Sequence, residues 1–198
     1  MKVNIRLRYP LFLLWVFQIV SSAGSIAFGL GTNRYNVSLY TGVPEISKLG
    51  ESLKQITERS KLPFNLSEIQ SDDKLNQLGI SAAIKFPNQG VRLYFKHNTC
   101  SLILLEPPFY GTILNTKLNL FDSQRPKNTE WWDLIEQYLG KPEYVRNNTS
   151  RVIGDVFYYN WGEIQFGASG IRKVLLYRDP NIKKFRINSP RSGDDSLN

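Results

Sequence analysis

Residues that build reactive centres are scarce in this chain. Its 198 residues contain one cysteine, one histidine and one methionine, the last being Met1. Metal sites of the Cys/His kind, thiol chemistry and imidazole catalysis therefore have almost nothing to draw on. A lone thiol cannot close an internal disulfide, so stability has to come from packing. No glycine-rich cradle follows a strand and opens a helix; Gly162, Gly167 and Gly170 read as turn residues. Acids are outnumbered, 17 against 25 Lys and Arg, yet three of the cations (Lys2, Arg6, Arg8) sit in the acid-free residues 1–27. Without them the formal +8 falls to about +5. That value is ordinary for a soluble domain, and it gives no nucleic-acid footprint. The strand-like Val152–Tyr159 also lacks the interleaved cations that base stacking wants.

The remaining chemical candidates are weak. His97 lies in a hairpin-turn sequence beside Asn98, with no nucleophile, base and orienting group around it. Asp72 and Asp73 fall in a polar connection, and Asp133 and Glu136 are spaced i, i+3 on a helix face where solvated charges are usual. Cys100 opens an apolar run and reads as a buried, inert thiol. The expectation is a non-enzyme: catalytic residues none, cofactors none, metal none.

What the sequence does contain begins with a leader. Three cations precede the apolar Pro10–Val20, and residues 21–27 are mostly small, the order of a secretory signal. Cleavage is expected after Ala23 or Ala27. No charge occurs between Arg8 and Arg34, so the segment can instead stay as an uncleaved membrane anchor. Both readings place the remainder outside the cytoplasm, periplasmic or secreted. The alternative is a segment buried in a cytosolic fold. No cysteine lies near either cleavage point, which disfavours a lipoprotein.

Beyond the leader the pattern is α+β. Ile46, Leu49, Leu53 and Ile56 share one face of a helix predicted over 44–59, stopped at Lys61-Leu62-Pro63. Strands are predicted at 80–86, 91–95 and 102–105, separated by turns at 87–90 and 97–99. The order then recurs: a helix over 131–139 stopped at Gly140-Lys141-Pro142, and strands over 151–159, 163–166 and 173–177. The middle strand opens at Gly90 in one half and Gly162 in the other, and the sets close on Pro107 and Pro180. We therefore expect two tandem helix-plus-three-strand antiparallel meander units, 28–109 and 110–180, or else two unrelated meanders. A shared sheet with both helices on one face would leave the other face or the edges to a partner. Residues 181–198 are expected to be a basic, disordered tail. Such a tail is either simply solvated or in weak contact with an anionic membrane surface.

Aromatic residues crowd the second half. Neighbours alternate sides on a helix or strand, so some of Trp131, Trp132, Tyr158, Tyr159 and Trp161 are expected to face a partner while others fill the core. Asn36, Asn65, Asn147 and Asn148 open N-glycosylation acceptor triplets, which matter only in a eukaryotic secretory pathway.

Leu104-Leu105-Glu106-Pro107-Pro108-Phe109-Tyr110-Gly111 followed by Tyr138-Leu139-Gly140-Lys141-Pro142 resembles a pattern in uncharacterised bacterial envelope or secreted proteins. These carry an apolar strand, a Pro-Phe-x-Gly link and a Leu-Gly-Lys-Pro helix end. Over residues 40–180 the helix-plus-meander order is loosely similar to the repeats of β-lactamase inhibitor proteins and of SmpA/OmlA-type lipoproteins. The chain departs from the latter in lacking a lipidated cysteine. The resemblance rests on turn signals and implies a scaffold or binding role. The leading expectation is an exported, non-enzymatic, protein-binding or envelope-associated protein. The alternatives are an inhibitor or immunity protein that blocks a toxin or hydrolase, and a carboxylate-dependent hydrolase.

Overall fold

Alternation of apolar and polar residues is realised as a large antiparallel sheet in the computed structural model, which describes residues 34–69, 74–121, 131–147, 154–167 and 170–188. The class is α+β, with three α-helices among the described residues. Eight strands pair in the order β10 (Tyr144–Arg146), β11 (Val156–Tyr158), β12 (Gly162–Gly167), β13 (Gly170–Tyr177), β7 (Thr99–Leu105), β6 (Val91–Lys96), β5 (Ile80–Phe86), β4 (Asn65–Glu68). Neighbours are antiparallel throughout, and β13 meets β7 with Val174 opposite Leu105 and Tyr177 opposite Leu102. Three short strands form a second sheet in which β1 (Tyr35–Val37) runs parallel to β8 (Gly111–Ile113), itself paired with β9 (Asn119–Leu120). A two-residue hairpin, β2 (Gly42–Val43) and β3 (Ser47–Lys48), completes the strands.

Both faces of the large sheet are filled. On one face Ile84, Phe86, Leu93, Phe95, Ile103, Leu105, Ile164, Val174 and Leu176 join a core cluster. Helices α1 (Leu53–Arg59) and α2 (Trp131–Leu139) supply Ile56 and Ile135 to it, and the small sheet adds Val37, Ile113 and Leu120. On the other face Tyr94, Leu102, Leu104, Leu175 and Tyr177 pack with Ile182 of a third helix, α3 (Pro180–Asn188). The expected free sheet face is therefore absent from the central strands. Of the two surfaces left open to a partner in the sequence reading, the edges β4 and β10 remain.

Two glycines explain how the hairpins close. Gly90 has φ +63, and a Cβ there would lie 2.0 Å from the Glu106 carbonyl oxygen; Gly162 has φ +154, and its Cβ would lie 1.9 Å from the Leu175 carbonyl oxygen. No side chain fits either approach.

The helix expected over 44–59 is shorter. It starts at Leu53, where Ser52 forms a capping box with Gln55, its hydroxyl accepting from the Gln55 N–H at 3.2 Å. Residues 44–46 turn between β2 and β3, and the Gly50 and Glu51 backbone bonds to Cys100. Tertiary pairing thus overrides the helical spacing of Ile46 and Leu49. Ser52→Ala is expected to cost about 1 kcal/mol, read as a lowered urea midpoint.

Three further differences concern the unit boundaries and the tail. Pairing of Tyr35–Val37 with Gly111–Ile113 crosses the expected division at 109/110. The described residues all belong to one unit, which begins at Arg34. Residues 181–188 are helical rather than disordered, because Ile182 and Arg186 are buried against the sheet. The leader, residues 71–73, 151–153 and 168–169, Asn148, and residues 189–198 lie outside the described residues. Among those described, no helix is long and apolar enough to cross a membrane.

Candidate functional site

The five aromatic candidates divide sharply. Tyr159 and Trp161 are buried and stacked on each other, with ring centroids 4.8 Å apart and planes 11° apart. The Tyr159 hydroxyl donates to the Gly140 carbonyl at 3.5 Å, and burial pushes its phenol well above the usual range. Tyr158 is buried on the opposite face and donates to the Arg186 carbonyl at 3.3 Å. All three are core residues rather than partner-facing ones, because strands β11 and β12 are covered on both sides. Trp131 is half-buried against the main cluster. Trp132 alone points outward, 45% exposed.

Sequence reasoning missed other exposed apolar residues that follow Trp132 in the chain. Helix α2 leads through Gly140–Glu143 into the edge strand β10, where Tyr144 is 45% and Val145 39% exposed. Tyr144 leans on Tyr158 with ring centroids 5.7 Å apart. An edge strand of this kind presents main-chain groups and apolar side chains together, the requirements for strand addition by a partner. The opposite edge, β4, is exposed at each residue but carries Leu66 amid Asn65, Ser67 and Glu68, a polar setting that discourages pairing. A Tyr-Val-Arg triplet after the Gly-Lys-Pro stop was the available signal for β10.

A second constellation lies under α3. Glu163 is wholly buried, and its Oε1 accepts from Arg186 Nη2 and Gln165 Nε2, each at 2.8 Å. Its Oε2 accepts from the Tyr177 hydroxyl at 3.2 Å. Burial, then the Glu163 charge, drives the Tyr177 phenol far up, so it stays a neutral donor. Arg146 donates to the Arg186 carbonyl at 3.2 Å and lies 5.8 Å from the centre of the Tyr158 ring. At the start of α3, Asp179 accepts from the Asn181 N–H at 2.9 Å and from Lys96 Nζ at 3.0 Å. Burial alone would raise its carboxyl, and these bonds hold it below the ordinary value.

The chemistry-bearing residues are dispersed. His97 is exposed in the β6–β7 turn with φ +49. Asp133 and Glu136 face solvent on α2. Glu163 is paired with an arginine, not with a second carboxylate as glycosidase-type chemistry needs. Among the described residues, no three His, Cys, Asp or Glu side chains come together as metal ligands. A cleft of about 260 Å³ is lined by Pro44, Glu45, Ile46, Arg59, Ser60, Lys61 and Leu62, with Arg59 bridged to Glu51. The Ser60 hydroxyl there donates to the Leu62 carbonyl at 3.1 Å. Cys100 is buried, which pushes its thiol up to about 12. Native protein is expected to resist a thiol reagent at pH 8, and one equivalent should react once the chain is unfolded in denaturant.

No protein-family model, curated protein or solved structure matches the chain. Function has to be read from the surface itself.

Proposed function

We propose that the protein is an exported, non-enzymatic binding protein whose partner is another protein, docking along β10 and the outer side of α2. One observation carries this reading. The sheet buries Phe157, Tyr158, Tyr159, Trp161, Phe166 and Tyr177, yet Trp132 on α2 and Tyr144 and Val145 on the edge strand stay exposed. Aromatic anchors beside an open strand edge are what a protein partner uses. Trp132→Ala is expected to leave folding stability within about 0.5 kcal/mol, since an exposed side chain contributes little. The same change should weaken partner capture by about 30-fold, the loss of one anchor. Equal capture by the variant would remove Trp132 from the interface. A captured toxin or hydrolase in a one-to-one complex that loses activity would specify the inhibitor or immunity reading.

Export is supported by the basic, apolar and small-residue order of residues 1–27. Protein purified from its native host is expected to begin at Gly24 or Phe28, or to remain with the membrane if the segment is kept. We also infer an internal duplication that gives two tandem units in one sheet. The sequence helix, proline stop, edge strand and three antiparallel strands occurs twice, as α1 with β4–β7 and as α2 with β10–β13. Gly90 and Gly162, both closed to side chains, stand at equivalent places in the two sets.

A further inference from the structure

The contact that seats α3 on the sheet has the chemistry of a recognition site. A planar guanidinium meets a carboxylate edge-on: Arg186 Nη2 and Nε lie 2.8 and 3.2 Å from Glu163 Oε1, and Nε is 3.4 Å from Oε2. Gln165 and Tyr177 orient that carboxylate before any arginine arrives, and buried Tyr158 receives the backbone behind it. Such preorganisation lowers the cost of accepting an incoming guanidinium.

The helix that fills the slot is short: besides Ile182, Arg186 and the bonds of Arg146 and Tyr158 to the Arg186 carbonyl, its ties are the partly exposed ion pairs of Lys183 with Glu143 and, just before it, of Asp179 with Lys96. It has nine residues, follows β13 after only Arg178 and Asp179, buries Ile182 and Arg186, and exposes Pro180, Asn181, Lys184 and Asn188. Desolvation of two buried charges offsets much of their attraction, so an ion pair of this kind holds an element less firmly than its bonds suggest.

We propose that Glu163, Gln165, Tyr158 and Tyr177 form an arginine-recognition slot, occupied in the resting chain by Arg186 and taken by a partner helix that displaces α3. The inference deepens the protein-binding reading and rests on it for the existence of the partner. Ile182 lies one turn before Arg186 and enters the cluster of Leu102, Leu104 and Leu175. The partner helix therefore carries an aliphatic residue four positions before its arginine. Lysine is a poor substitute, because a point charge cannot span both carboxylate oxygens.

The probe is a capped peptide with the sequence of residues 179–188, compared with the same peptide carrying Arg186→Lys, added at millimolar concentration to the full chain. Hydrogen exchange of the α3 amides is expected to accelerate at least five-fold with the arginine peptide and to need at least ten-fold more of the lysine peptide. In a full chain carrying Arg186→Ala, guanidinium chloride at 50 mM should raise Tm relative to equal sodium chloride, and wild type should show no such rise. Unchanged α3 exchange at all concentrations, or equal displacement by both peptides, overturns the slot even if the Arg186→Ala chain fails to fold. Peptide displacement without any partner contact at Trp132 and Tyr144 would instead retain the slot and reject the wider protein-binding reading.

Discussion

Glu163→Ala is expected to destabilise the fold by about 3–5 kcal/mol, because it strips a buried guanidinium of its carboxylate while leaving it out of water. Gln165 Nε2 and the Tyr177 hydroxyl lose the same acceptor, and each buried donor so released adds to the cost. For a unit of this length the loss corresponds to a fall in Tm on the order of 10 °C. Replacing both partners, as Glu163→Leu with Arg186→Met, should cost far less than the single change, because hydrophobic groups of similar volume need no ion partner. Urea unfolding of the two variants beside wild type measures both statements. A double variant as damaged as the single one would show that the pair contributes more than mutual neutralisation.

Phe95→Ala should rank with it. Phe95 is wholly buried on the central strand β6, opposite Cys100, in the cluster that also receives α1 and α2. Truncation removes the transfer energy of the ring and leaves a cavity that close-packed strands cannot collapse, at about 3–5 kcal/mol. Leu66→Ala on the exposed edge β4 removes another large apolar group and should stay within about 0.5 kcal/mol. Denaturant midpoints at constant m-value separate the two, and equal losses would mean that β4 is packed in solution.

The strands that alternate strongly were legible from sequence. Residues 80–86 and 91–95, the Gly90 and Gly162 turns, and α2 with its Gly140 stop all fall where local pattern and tertiary structure agree. The short strands were not: β1, β2, β8 and β9 have two or three residues each, too few for a period to register. Burial on both faces was hidden for another reason. Glu163 and Gln165 alternate with Ile164 and Phe166, a pattern that fits a half-buried strand with one polar side. The Glu163 charge is in fact met by Arg186, which stands 23 residues later in the chain, and the Gln165 amide donates to Glu163. The same long-range pairing misled the aromatic reading: strand alternation showed that Tyr158 and Tyr159 point to opposite faces, but not that both faces are covered.

The central claim is that Trp132 and the β10 edge meet a protein outside the cytoplasm. Its most direct test places a photo-activated cross-linking residue, in the full chain expressed in its native host, at position 132, at position 144, or at the exposed Glu58 of α1. The account predicts one shared protein adduct from positions 132 and 144, formed in the extracytoplasmic fraction and missing from position 58. Adducts of equal kind at all three positions, or none at 132 and 144, would contradict it.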